Sequence, residues 1–164
     1  MDAERHPTRL SWRQIDDQAD RIAVAIARDG LPRTVVAVLR GGAVPAVLLA
    51  HRLGLRDVRA VEVTRTLDDS TDARKHDRPR ARNTASLGDL TGLDVLVVDD
   101  VAGTGGTLAA VVRLVGEAGA ARVRSAVCVV NEDNWTGERP VAATVTHTGL
   151  LIRGWVVFPW ERPS

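Results

Sequence analysis

The stretch from Leu93 to Thr107, LDVLVVDDVAGTGGT, constrains the fold more than any other part of the chain. A largely apolar run of strand length stops at two adjacent aspartates, Asp99 and Asp100, and a Gly/Thr loop then leads into TLAAVVRLVGEAGA, which has helical spacing. An apolar run that does not alternate with polar residues reads as a strand buried on both faces, the kind found in parallel sheets covered by helices. The pattern recurs. Ser11 and Gln14 form a capping-box pattern ahead of Ile15, Ala19, Ile22, Ala23 and Ile26, a helical stripe that ends at Gly30. TVVAVL (34–39) is a strand, broken by RGG and followed by the helix AVPAVLLAHRLG, with Pro45 near its first turn and Gly54 as its stop. VRAVEV (58–63) and RVRSAVCVV (122–130) are further strands. Alternation at these lengths predicts an α/β fold, a parallel twisted sheet with helices on both faces. In such sheets ligands bind beyond the carboxyl ends of the strands, where both RGG and DDVAGTGGT fall.

A length of 164 residues with 45% hydrophobic content suits one domain over residues 1–164. Twenty-two Lys and Arg face 21 Asp and Glu, a formal charge of +1, which gives no support for nucleic-acid binding. Cys128 is the only cysteine and lies within SAVCVV, so a buried, inert thiol is expected. MDAERHPTRLSW lacks the apolar centre of a signal peptide, and no run approaches the roughly 20 apolar residues of a membrane span, so a cytoplasmic chain with no membrane partner is expected. Residues 64–92 are polar, charged and long for a connection. They read either as a mobile active-site lid, whose Lys75, His76, Arg78, Arg80 and Arg82 could reach a polyphosphate, or as a solvated insertion.

The loop after Asp100 has chemistry of its own. Gly103, Gly105 and Gly106 let the backbone approach a ligand closely at the start of a helix, where amide N–H groups and the helix dipole favour an anion. Thr104 and Thr107 add hydroxyl donors, and the sum suits a monophosphate. The loop lacks the lysine of a nucleotide P-loop and the GxGxxG order of a dinucleotide fold. Glycines alone would also fit a tight strand-to-helix turn. Asp99 and Asp100 weigh against that, because adjacent carboxylates at a strand end repel unless hydroxyls or a cation compensate them.

VLVVDDVAGTGGT resembles the phosphoribosyl-pyrophosphate motif of type I phosphoribosyltransferases. AVLRGGAVPAVLLAHRLG is similar to the pyrophosphate loop and following helix of the bacterial xanthine-guanine (6-oxopurine) members, and GWVVFPWE resembles their purine-stacking hood segment. The three occur in family order. The resemblance implies that Asp99 and Asp100 hold the ribose hydroxyls directly or through Mg2+, and that Ala102, Gly103, Thr104, Gly105, Gly106 and Thr107 bind the 5-phosphate. It implies that Arg40, Gly41 and Gly42 grip pyrophosphate, in a loop that often carries a non-proline cis peptide. It also implies a C-terminal hood over residues 144–164, phosphoribosyl pyrophosphate and a nucleobase or analogue as partners, and a homodimer or homotetramer.

The pattern departs from the family on the nucleobase side only. Gly103 stands where the 6-oxopurine enzymes carry an aspartate credited with handling the N7 proton, and Asn131 stands where they carry a lysine that binds the 6-oxo group. Trp155, with Val156 beside it, matches the stacking position, Glu161 reads either as a partner for an exocyclic amine or as a solvent-exposed acid, and Trp12 and Trp135 read as packing or interface residues. A phosphoribosyltransferase with an altered acceptor is expected. The alternatives are a non-catalytic phosphoribosyl-pyrophosphate-binding regulator, favoured by Gly103, and a different sugar-phosphate enzyme.

Overall fold

The computed structural model describes residues 6–66, 75–135 and 139–161. In chain order the elements are β1 (Thr8–Arg9), α1 (Trp12–Arg28), β2 (Thr34–Leu39), α2 (Ala43–Leu53), β3 (Val58–Thr66), β4 (Lys75–Arg82), β5 (Asp94–Ala102), α3 (Gly106–Glu117), β6 (Arg122–Asn131), β7 (His147–Ile152) and β8 (Val156–Val157). The capping box at α1 is formed: Ser11 Oγ accepts the Gln14 N–H, and the Gln14 side chain accepts the Ser11 N–H. Gly54 ends α2 in the left-handed conformation, φ 67°.

Six strands form the main sheet in the order β4-β3-β2-β5-β6-β7, all neighbours parallel except the antiparallel pair β3–β4. Strand alternation splits the core. Val36, Val38, Val95, Val97 and Val127 face Leu108, Val111 and Val115 of α3, while Val35, Ala37, Leu96, Val98 and Ala126 face Ile22 and Ile26 of α1 and Leu49 of α2. A third cluster, with Leu10, Ile15, Cys128, Val129, Val156 and Phe158, joins the short β1–β8 pair to α1 and β6. Burial and the nearby aspartates push the Cys128 thiol up to about 12, which keeps it protonated.

Two expectations change. The stretch 64–92 is not one long loop: β3 extends to Thr66, β4 pairs back along it, and Leu87 and Leu90 are buried in the core on the α3 side. A polar edge strand needs only backbone pairing and one covered face, so KHDRPRAR carries no apolar signal. Residues 67–74 lie outside the described residues, as do the side chains of Lys75, His76 and Arg78; Arg80 and Arg82 are exposed. The segment expected as a hood from 144 onward first completes the main sheet, with β7 paired to β6, and only then forms β8. Gly149 lies so close to the Cys128 carbonyl that a Cβ would overlap it, which explains a glycine within this strand.

Candidate functional site

Taken in chain order, the parallel strands β2, β3, β5, β6 and β7 occupy the sheet as second, first, third, fourth and fifth. Chain direction away from the start therefore reverses between β2 and β5, and the loops after these two strands open a crevice at their carboxyl ends. Those loops are Arg40–Gly41–Gly42 and Gly103–Thr104–Gly105.

Asp99 and Asp100 belong to β5 itself, and the alternation of the strand sends them to opposite faces. Asp99 turns to the α3 side, where it lines a cavity of about 200 Å³ with Ala102, Gly103, Thr104, Gly105 and Thr107. Asp100 turns toward β2, and its carboxylate packs against Gly41 so tightly that any side chain at 41 would overlap it. A Cβ at Gly42 would overlap the carbonyls of Val98 and Val38. Leu39–Arg40 is a non-proline cis peptide, and the exposed Arg40 guanidinium pairs with no described residue.

The phosphate-type loop is shaped by Gly105 at φ 77°, which begins α3; a Cβ there would sit 2.8 Å from Cη2 of Trp135. Thr104 Oγ1 accepts the Gly106 N–H at 3.3 Å. Gly103 differs. Its φ is not positive, and an added Cβ would make ordinary contact with Asn134 Cβ at 3.6 Å. The backbone does not demand glycine at 103.

Burial raises the pKa of Asp99 well above the usual carboxylate range, and the charge of Asp100 adds to the effect. Asp100 is raised first by burial and further by the charge of Glu161, against the Val101 N–H that donates to its Oδ1 at 2.7 Å. A buried and a half-buried carboxylate raised in this way fit Mg2+, which is commonly held by one or two carboxylates together with substrate phosphates. No cluster of three or more His, Cys, Asp or Glu side chains among the described residues forms a metal cage of its own.

On the hood side, Trp155 is 70% exposed and available as a stacking face, whereas Val156 is buried among Leu10, Ile15 and Phe158 and spends its side chain on packing. Phe158 stacks on Trp160 at 4.7 Å between centroids, and Trp12 tilts against Trp160 at 5.8 Å. Glu161 Oε2 accepts the Phe158 N–H at 2.8 Å. Asn131 is the correction here. It is buried, its Nδ2 donates to the Gly154 carbonyl at 2.7 Å and its Oδ1 accepts the Asp133 N–H at 3.1 Å, so one donor and one acceptor site of its amide are engaged inside the protein. Asn134, in the polar group after β6, lies beside Gly103 and is not singled out by the sequence.

A family model described as the phosphoribosyl transferase domain matches residues 11–163. The chain is 32% identical over 161 residues to a xanthine-guanine phosphoribosyltransferase of Ruegeria sp. (strain TM1040), covering 93% of this chain and 84% of that protein. A purine phosphoribosyltransferase from Pyrococcus horikoshii Ot3 superposes with a TM-score of 0.72 at 28% identity, covering 96% of each chain. The Helicobacter pylori xanthine-guanine-hypoxanthine phosphoribosyltransferase shares the fold, with a TM-score of 0.76 at 19% identity over 95% of this chain and 94% of that one. With the match spanning both crevice loops and the paired acids between them, the chain belongs to the phosphoribosyltransferase family and is an enzyme of that family.

Proposed function

We propose that the chain transfers the 5-phosphoribosyl group of phosphoribosyl pyrophosphate to a purine or purine-like base, with an acceptor range altered relative to guanine, xanthine and hypoxanthine. The observation that carries this reading is the contact of Asp100 with Gly41, which brings ribose-type acids and a pyrophosphate-type loop to one switch point. Asp99 and Asp100 accept hydrogen bonds from the ribose hydroxyls. The Ala102–Thr107 backbone donates to the 5-phosphate, and Arg40 with the Gly41–Gly42 backbone holds pyrophosphate. Asp99 and Asp100 would hold Mg2+, directly or through water, and the ion would supply neutralising charge for the leaving group. A ring nitrogen of the base bonds to C1 as the C1–O bond breaks; both electrons of that bond leave with pyrophosphate, and the nitrogen's proton passes to solvent.

Support for an altered acceptor is local. The Gly103 backbone would tolerate an aspartate, yet none is present, and the Asn131 amide is engaged with Gly154 and Asp133. Losing one acid-base group typically costs a factor of roughly 100 to 10,000. Gly103 therefore also favours a second reading, binding of the sugar donor without turnover. Calorimetry of the magnesium complex of phosphoribosyl pyrophosphate tests the shared part: Asp100→Ala should weaken binding by roughly tenfold or more, from loss of a charge-assisted contact. Unchanged affinity would refute the assignment.

A further inference from the structure

Four observations converge on the turn that follows β6. Asn134 is exposed, and its carboxamide makes no hydrogen bond to a described residue. The turn carrying it is nevertheless pinned. Its own N–H donates to the Asn131 carbonyl at 3.2 Å, Asn131 is tied to Gly154 of the hood, and the neighbouring Trp135 N–H donates to the Glu132 carbonyl at 3.3 Å. Trp135 is fixed in turn, with its ring over Gly105 and its Nε1 donating to the Arg139 carbonyl at 3.0 Å. Finally, the Asn134 side chain stands where a side chain on Gly103 would point, and Gly103 lines the cavity shared by Asp99 and the Gly/Thr loop.

A polar group on a hydrogen-bonded turn beside a phosphate-type loop, with no partner among the described residues, is placed to meet a ligand. We infer that Asn134 is the acceptor-recognising polar residue of this site, its carboxamide hydrogen-bonding the ring edge of a neutral, purine-like base across the space that Gly103 leaves open. The inference rests on the phosphoribosyl-transfer reading above and deepens it. A carboxamide offers both a donor and an acceptor and carries no charge. It therefore pairs with a ring nitrogen bearing a lone pair as readily as with one bearing a proton. An ionised carboxylate can only accept. Asn134 is a specificity residue in this scheme and takes no proton itself.

The test separates the base from the sugar phosphate. Calorimetric Kd values are measured for ribose 5-phosphate and for GMP, IMP, XMP and AMP, with the wild type and with Asn134→Ala. The affinity of each nucleotide relative to ribose 5-phosphate isolates the base. For the nucleotide with the largest advantage in the wild type, Asn134→Ala should reduce that advantage roughly three- to tenfold, the range of one hydrogen bond, with ribose 5-phosphate binding unchanged. An unchanged advantage overturns the inference, as does the lack of any advantage for all four nucleotides. Should Asn134→Ala disturb the turn, ribose 5-phosphate binding falls as well, and Asn134→Asp decides instead. That variant keeps the size but not the donor, and its base advantage must shift at least about threefold. No shift overturns the inference. Failure of ribose 5-phosphate to bind the wild type removes the phosphoribosyl reading and the inference together, a result distinct from the others.

Discussion

At Gly41 a methyl group would collide with the Asp100 carboxylate, whereas at Gly103 it would only touch Asn134 at an ordinary distance. Two glycines in adjacent loops thus carry opposite expectations. Gly41→Ala should displace Asp100 and weaken donor binding roughly tenfold or more by calorimetry, the scale of a lost charged hydrogen bond. Gly103→Asp should fold, since the added side chain meets no clash, with a modest loss of Tm from a third carboxylate beside Asp99. The same variant should raise turnover of guanine or hypoxanthine if the missing acid is what limits it. Gly105→Ala combines a left-handed backbone with overlap on Trp135, and should lower Tm by at least about 4 °C, from roughly 2 kcal/mol of strain. Residue types alone single out Asp99, Asp100, Gly41, Gly42 and Gly105, and the structure gathers them at the carboxyl ends of β2 and β5, with Gly41 and Gly42 where no side chain fits and Gly105 at positive φ. Residue types point to Asn131 for the base, whose buried amide bonds Gly154 and Asp133, whereas the exposed amide beside Gly103 is that of Asn134. Which of two nearby amides is consumed depends on the hydrogen bonds of the turn, and those leave no mark in composition.

Strands legible in the sequence are those buried on both faces, such as Val95–Val98 of β5. The edges were not legible. β4 is polar, with Pro79 where an edge can tolerate a missing N–H, and HTGLLI of β7 owes its glycine to close contact with Cys128 rather than to a turn. At the amino ends of the strands, away from the site, Arg124 is 3% exposed and ties two elements to the end of α1. It donates to both Asp94 oxygens at 2.9 Å, to Asp29 at 3.3 Å and to the Gly30 carbonyl at 2.7 Å. Arg124→Ala should cost about 1–3 kcal/mol in denaturant unfolding, from the lost hydrogen bonds of the buried guanidinium, while Arg122 still faces both Asp29 and Asp94. His147 begins β7 with Nε2 3.6 Å from Asp29 Oδ2. Burial lowers its pKa from 6.5, opposed by Asp29 and assisted by Arg124 and Arg122. The unfolded chain then binds the proton more readily than the fold, so this part of the stability is complete above about pH 6.5 and declines as pH falls through that value. Thermal melts from pH 8 to 5 should show that decline reduced in His147→Gln. An identical pH profile for the two proteins would argue against a buried neutral histidine. Asp29, Asp57 and Asp89 have lowered pKa values, and their losses fall below 3.8, outside that window.

Over the whole molecule, one topological event organises the site. Because the sheet order reverses between β2 and β5, the two loops richest in glycine meet beyond their carboxyl ends, and the alternation of β5 gives one aspartate to each. The turn after β6 packs on the loop after β5, with Trp135 over Gly105 and Asn134 beside Gly103, and the Asn131–Gly154 bond ties that turn to the segment before β8. Among the described residues no helix is long and apolar enough to cross a membrane. The most direct measurement is pyrophosphate release from phosphoribosyl pyrophosphate by the full chain, with and without Mg2+, across a panel of purines, deazapurines and pyrimidines. Release is expected only when donor, Mg2+ and a base of the purine type are all present, and it should be abolished in Asp100→Ala. Release that ignores the base, or a chain that neither binds the donor nor releases pyrophosphate with any base, would contradict phosphoribosyl transfer at this switch point.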